Sequence, residues 1–317
     1  MARIAVIDEG YDSYRYEQDL CQKHGYSFAV FSGDRHDRAA KMRFAREAEG
    51  ILVRWTVVDE KFLEALPNLK AIVRYGTGYD NIDIAAVKAR RIRIANVQGY
   101  ASHSVSDHAL MLLLSCCRGV MPAQNSFLAS YTQPPFADIL ELQEMTLGIV
   151  GLGRIGGTLC KKSLGLFKRV LACDPYISAS RFTELRATAC DLPFLLQNSD
   201  AISLHCNLTA ETRHLIGERQ FALMIRRPVL VNTARGPVID ERALWHALQQ
   251  DHIHSAGLDV FSDEPPQEDM RAMLQHPRVV ATGHYGWYSV RAGLEMQKRA
   301  ADNLLGLLLQ RVIDDEL

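Results

Sequence analysis

At 317 residues the chain is too long for one small core and fits two domains of ordinary size. Its 36 Lys and Arg against 37 Asp and Glu leave a formal charge of −1, with no basic stripe or tail of the kind that grips nucleic acid. Seven cysteines form no CxxC pair and the apolar runs break well short of spanning length, which argues against a disulfide scaffold and a membrane protein.

The opening MARIAVIDEG runs directly into a strand, so no secretory signal is read there and a cytoplasmic globular protein is expected. Residues 1 to about 95 alternate strands (3–7, 27–31, 50–53, 69–74, 92–95) with helices (14–24, 37–48, 59–66, 82–89). Alternation of this kind calls for a parallel sheet covered on both faces, with ligands bound beyond the carboxyl ends of its strands. Gly76-Thr77-Gly78 falls at such an end. Residues 96–100 read as a hinge. A long helix follows over 102–117, with Val105, Ala109, Leu112, Leu113 and Cys116 near helical spacing. From Met121 to Glu144 the pattern weakens around Pro134-Pro135, and the stretch reads as a connection or a dimer-facing arm.

The most informative stretch is Thr146 to Pro175, TLGIVGLGRIGGTLCKKSLGLFKRVLACDP. A strand over 146–150 enters Gly151-x-Gly153-x-x-Gly156, a helix runs to about Leu166, and a second strand over 169–173 ends on Asp174. Strand, glycine turn, helix, strand and acid form the dinucleotide fingerprint in its required context. Gly151 permits the tight turn, Gly153 lets backbone approach a pyrophosphate, and Gly156 lets helix and strand pack closely. Asp174 suits the adenosine ribose hydroxyls and repels a 2′-phosphate, which favours NAD(H) over its phosphorylated form. Arg154 either touches the pyrophosphate or stays solvated.

The second half continues the rhythm: helix 191–197, strand 199–204 with His205 at its tip, helix 213–224, strand 228–232 and helix 240–249. Strands over 254–258 and 279–281 follow, and with the two opening strands they supply a six-stranded sheet. A final helix, 289–309, is placed to return to the first domain. The expected fold is α/β, two doubly wound parallel-sheet domains. A Rossmann nucleotide domain (99–290) is inserted in a flavodoxin-like substrate domain (1–98 with 291–317), with crossings near 96–101 and 285–292 that would hinge a cleft.

Four polar groups fall at or beyond strand ends of the nucleotide domain: Arg235, Asp259, Glu264 and His284. Hydride transfer to a carbonyl needs a proton for the developing alkoxide, and histidine titrates in the useful range. Glu264 would orient His284 and favour its charged form. Arg235 carries a rigid fork suited to a carboxylate and a neighbouring carbonyl oxygen. The bland alternatives are a surface histidine, an Arg235 paired with Asp240 and a turn acid at 264. His205 reads as pocket lining at best, and His103 and His108 as polar-face or cap residues of their helix. There is no HExxH, EF-hand loop or other ligand cluster, so no metal is expected.

Over nearly its whole length the chain resembles the D-isomer-specific 2-hydroxyacid dehydrogenase family. The matching blocks are YGTGYDNID (75–83), NVQGY (96–100), SVSDHALMLLL (104–114), SLHCNLTAETRHLI (203–216), VNTARGPVID (231–240), GLDVFSDEPP (257–266) and GHYGWYS (283–289). The resemblance implies that Arg235 binds substrate and polarises its carbonyl, that Glu264 pairs with His284, and that His284 is the acid/base. The expected cofactor-binding set is Thr77, Gly151, Gly153, Arg154, Ile155, Gly156, Asp174, Cys206, Thr233, Ala234, Arg235, Asp259, His284 and Gly286. Substrate-binding residues are expected at Arg54, Gly76, Thr77, Gly78, Arg235 and Trp287. A homodimer built through the nucleotide domains is implied, acting on a small 2-oxo or 2-hydroxy acid with NAD(H). Departures stand at Asn207 and Gly283, where the family commonly has proline, and in PPFADILELQ, where it often has tryptophan. The segment HYGWYS is closer to the C-terminal-binding-protein branch, which keeps an NAD(H)-sensing corepressor-like module as an alternative beside a phosphite- or formate-type dehydrogenase.

Overall fold

A computed structural model of the chain describes residues 3–131 and 139–317, so Pro134-Pro135 and the first half of PPFADILELQ lie outside the described residues. Its elements in order are β1 (Arg3–Val6), α1 (Arg15–Lys23), β2 (Ser27–Val30), α2 (Arg38–Ala45), β3 (Ala48–Val53), α3 (Glu60–Glu64), β4 (Ala71–Arg74), α4 (Ile84–Ala89) and β5 (Arg93–Ala95). Then come α5 (Ser102–Cys117), α6 (Val120–Ser130), β6 (Thr146–Val150), α7 (Arg154–Ser163), β7 (Arg169–Cys173), α8 (Ala179–Glu184), β8 (Thr188–Ala189), α9 (Leu192–Asn198) and β9 (Ala201–Leu204). The chain continues through α10 (Glu218–Leu223), β10 (Val229–Asn232), α11 (Glu241–Gln249), β11 (Ser255–Leu258), α12 (Arg271–Leu274), β12 (Val279–Ala281) and α13 (Val290–Leu308). Two compact units result, Met1–Tyr100 with Ser289–Leu317, and Ala101–Tyr288.

The first unit is a parallel sheet in the order β2-β1-β3-β4-β5. Ile4, Ala5, Ile51, Leu52, Ile72 and Val73 are shut off from solvent, as continuous apolar strands buried on both faces require. Helix α13 packs on it so closely that a Cβ at Gly50 would lie 3.1 Å from Leu308 Cδ1. Past that helix the chain is tied down by Arg93 on Glu316 (2.6 Å), Arg299 on Asp315 (2.6 Å) and the Leu317 amide on the Ile94 carbonyl (2.9 Å).

The second unit holds a parallel sheet of seven strands, β12-β11-β10-β9-β6-β7-β8, where six are expected from sequence. The extra strand, β8, has two exposed residues and pairs only with β7 at the sheet edge, so it offers no apolar pattern to read. Helix α5 lies on the sheet with Ala109, Leu112, Leu113, Cys116 and Cys117 buried.

Three further expectations are corrected. The weak stretch from Met121 contains all but the first residue of helix α6, none of whose residues is buried. The helix expected over 213–224 shrinks to α10, because Gly217 is extended (φ −122°, ψ −166°) and Ile216 bridges to Ile239 instead. The charged helix expected to reach Ala48 ends at Ala45, and β3 starts at Ala48. Among the described residues no helix is long and apolar enough to cross a membrane.

Candidate active site

Strands β10, β11 and β12 run side by side, with Asn232 level with Leu258 and Leu258 level with Ala281. Their carboxyl ends therefore stop together, and the residues just beyond them include Arg235, Asp259 and His284. The loops after β10 and β11 are pressed backbone to backbone: a Cβ at Gly236 would fall 1.9 Å from the Phe261 carbonyl carbon. Glu241 strengthens that junction by accepting from the Ser262 amide at 2.7 Å. Arg235 is half-buried, with Nη1 donating to the Ala234 carbonyl (2.8 Å) and its own carbonyl accepting from Asn232 Nδ2 (2.9 Å).

Glu264 and His284 meet directly, Oε2 to Nδ1 at 2.6 Å. An ionised carboxylate can only accept, so Nδ1 carries the hydrogen and Nε2 is left as the nitrogen able to exchange a proton. The other Glu264 oxygen accepts from the Phe261 amide at 3.2 Å, which fixes the carboxylate in turn. His284 has φ +54°, a left-handed conformation uncommon for a residue with a Cβ. That turn is held by Asp259: its carbonyl accepts from the His284 amide (2.6 Å), Oδ1 from the Tyr285 amide (3.2 Å) and Oδ2 from the Gly286 amide (3.0 Å).

His108 also belongs here, which corrects its expected place on the polar face of the helix. It is buried on α5, with Nε2 2.9 Å from Thr282 Oγ1 and 3.3 Å from Asp259 Oδ1. Thr282 donates to Asp259 Oδ1 at 2.6 Å. Burial alone would raise the Asp259 pKa, but bonds from His108, Thr282 and the Gly286 amide outweigh it and hold the carboxyl below its ordinary range. The sequence signal for His108 was its position, three residues after Val105 and four before Leu112 on the apolar stripe. His103, by contrast, is exposed.

At the fingerprint, Gly151 has φ +88° and a Cβ there would lie 2.7 Å from the Cys206 amide. Gly156 is equally constrained, its Cβ position 2.0 Å from the Gly151 carbonyl oxygen, whereas a Cβ at Gly153 meets nothing within 4 Å. The turn is thus closed where backbone crosses backbone and open where a phosphate would approach. No side chain caps α7, so its first amides stay available to an anion. Asp174 is pinned, Oδ2 accepting from the Leu152 amide (2.8 Å) and Oδ1 from the Tyr176 amide (3.0 Å). Thr233 Oγ1 is enclosed without a hydrogen-bond partner, an orphan donor near the β10 end. These residues fit a dinucleotide. Arg154 is exposed, Ile155 and Ala234 are half-buried, and burial pushes the Cys206 thiol up to about 11, so it stays protonated.

In the first unit, Arg54 follows β3 and the 76–78 loop follows β4, neighbouring strands whose ends are level at Val53 and Arg74. Gly76 has φ +118° and its carbonyl accepts from the Val97 amide (3.1 Å). Thr77 Oγ1 donates to the Val97 carbonyl (3.0 Å), and Asn96 Nδ2 donates to the Thr77 carbonyl (2.6 Å). Arg54 stacks its guanidinium on the rings of Trp55 (5.0 Å) and Tyr11 (5.7 Å). Trp287, in the second unit, is half-buried against Tyr288.

The parallel sheet, the glycine cradle with its pinned acid and the histidine–carboxylate pair define a dinucleotide-linked oxidoreductase. Residues 110–286 match the family model described as D-isomer specific 2-hydroxyacid dehydrogenase, NAD binding domain. A hydroxypyruvate reductase of Thermotoga maritima is 37% identical over 264 residues, covering 81% of this chain and 85% of that protein. A D-3-phosphoglycerate dehydrogenase of Archaeoglobus fulgidus is 35% identical over 291 residues, 91% of this chain, which spans about half (54%) of the length of that relative. Among solved structures, D-lactate dehydrogenase from Aquifex aeolicus complexed with NAD and lactic acid superposes with TM-score 0.87 at 25% identity, covering 97% of this chain and 96% of that one. The chain belongs to the D-isomer-specific 2-hydroxyacid dehydrogenase family and carries its NAD-binding domain.

Proposed function

We propose that the chain interconverts a small 2-oxo acid and its D-2-hydroxy acid, with His284 as the acid/base. The observation that carries this is the 2.6 Å Glu264–His284 pair, whose Glu264 lies on the loop after β11 that packs against the loop bearing Arg235. When bound, NADH supplies the hydride. Glu264 holds the His284 ring so that Nε2 delivers a proton to the developing alkoxide and retrieves it in the reverse direction. Arg235 takes the substrate carboxylate with one edge of its fork and draws electron density from the carbonyl with the other. Gly151, Gly153 and Gly156, with the α7 N-terminus, would hold the pyrophosphate, Asp174 the adenosine ribose, and Asp259 and Thr233 the nicotinamide end. Arg54, the 76–78 amides and Trp287 are proposed to contact the acid.

Several relatives are named glyoxylate/hydroxypyruvate reductases, and short acids of that kind are our proposed substrates. The test is NADH oxidation against a panel of 2-oxo acids, with His284→Ala beside the parent. Turnover of at least one acid, falling about 10²–10⁴-fold in the variant, is the expected result. An enzyme that turns over the panel equally well with alanine at 284 would dispose of the acid/base assignment. We further propose a homodimer, supported by the unburied row Val120, Met121, Phe127 and Leu128 on α6. All seven cysteines are free, as a reducing compartment would keep them.

A further inference from the structure

The proton arrangement around Asp259 follows from the distances. The Asp259 carboxylate only accepts, and the Thr282 hydroxyl has one hydrogen, which goes to Asp259 Oδ1 at 2.6 Å rather than to the distant Leu258 carbonyl at 3.5 Å. Thr282 therefore faces His108 Nε2 as an acceptor across 2.9 Å. A lone pair on Nε2 would confront two oxygens, Thr282 Oγ1 and, at 3.3 Å, Asp259 Oδ1. Nε2 must carry a hydrogen.

The same ring is built into the turn that presents His284. A Cβ at Gly286 would lie 2.9 Å from His108 Cδ2 and 2.8 Å from Asp259 Oδ2, so imidazole and carboxylate together fill the space beside that backbone. Tyr285 meets the ring edge-on, centroids 4.9 Å apart at 70°. The carboxylate fixed by His108 and Thr282 is the one that accepts from the amides of Tyr285 and Gly286, next to a left-handed His284. We propose that His108 is a positioning residue for the reaction: its Nε2–H, through Thr282 and Asp259, locks the 284–286 turn and so aims His284. The role rests on the acid/base assignment of His284, and it is exerted from a helix on the far side of Asp259 without contact with the reacting atoms.

The experiment compares His108→Ala, His108→Gln and His284→Ala in the full chain, with melting curves to establish folding. Glutamine returns an N–H donor to Thr282 and Asp259; alanine does not. Misaiming a proton donor costs up to about 10²-fold, so kcat for the accepted 2-oxo acid should fall roughly ten- to a hundredfold in His108→Ala. Because the lost alignment acts in the transition state, KM for the acid should stay within about threefold, and His108→Gln should recover most of kcat. If His284→Ala is inactive but both His108 variants keep parental kcat, or the glutamine variant is as impaired as the alanine one, the positioning role is wrong. If His284→Ala itself retains turnover, the underlying acid/base assignment fails instead. A variant that does not fold leaves the decision to the parent protein. Its long-range ¹H–¹⁵N spectrum at about pH 8 should show His108 protonated at Nε2, and an Nδ1–H tautomer would overturn the proposal.

Discussion

Asp8 and Lys41 form the most deeply buried ion pair of the first unit, 2.6 Å apart with side chains 0% and 2% exposed. The cation also donates to Thr56 Oγ1, and the other Asp8 oxygen accepts from the amides of Arg54, Trp55 and Thr56, so every polar group is answered. Burial works to raise the Asp8 pKa, but Lys41, Thr56 and the backbone amides overcome it and leave the carboxyl below its ordinary range. A depressed carboxylate stabilises the fold above the unfolded-state pKa and loses that contribution as pH falls through the folded one. Lys41→Met strands the charge, which should cost about 3–5 kcal/mol in denaturant unfolding. It should also reverse the trend with pH, since an uncompensated buried carboxylate is relieved by protonation and the variant gains stability from pH 7 toward 4. His205 gives a second test. Its Nδ1 is enclosed without a partner while Nε2 shares a hydrogen with Ser203 at 2.8 Å, and desolvation pulls its pKa down to about 4. The ring should stay neutral in the folded protein, its C2 proton shift flat from about pH 8 to 5.5, whereas an unfolded histidine titrates near 6.5. Stability tied to this group is thus lost as pH falls from about 6.5 toward the folded value.

At the level of elements, legibility followed burial. β6 and β7 stand where the sequence puts them because buried runs bounded by Gly151 and Asp174 admit little else. The α5 stripe was equally plain, yet it could not disclose what His108 faces, since a period identifies a buried face and not the strand end opposite it. Helix α6 escaped for the opposite reason, having no buried face at all. The 213–224 helix was overextended because Leu215 and Ile216 imitate helical spacing, while a backbone bridge to Ile239 claims Ile216. The proposed trio of Arg235, Glu264 and His284 could be picked out because each member closes or follows a strand, a relation that depends only on order along the chain. Side chains of unlike elements meeting in space, as at Asp8–Lys41–Thr56 or His108–Thr282–Asp259, leave no local trace. Gly236→Ala tests the element scale directly. With its Cβ 1.9 Å from Phe261 carbon, the variant must push the two loops apart, and the expected outcome is at least a tenfold loss of kcat/KM and a lower Tm.

On the scale of the whole chain, the two α/β units and the return of α13 to the first sheet were legible from element order alone, because a strand–helix rhythm interrupted by one fingerprint leaves few arrangements. Assembly was less so. The outward row on α6, with Phe127 49% and Leu128 55% exposed, marks a face but not its occupant. If a second copy covers it, sedimentation velocity should show a dimer, and Phe127→Glu with Leu128→Glu should yield a folded monomer with an unchanged circular dichroism spectrum.

The backbone crossing of Gly236 with Phe261 also sets a rule for recombination. A chimera that imports residues 233–240 from a relative while keeping the native 259–266 joins two surfaces shaped by different partners. The two segments are one cassette, and a change of specificity engineered in this chain should move them together.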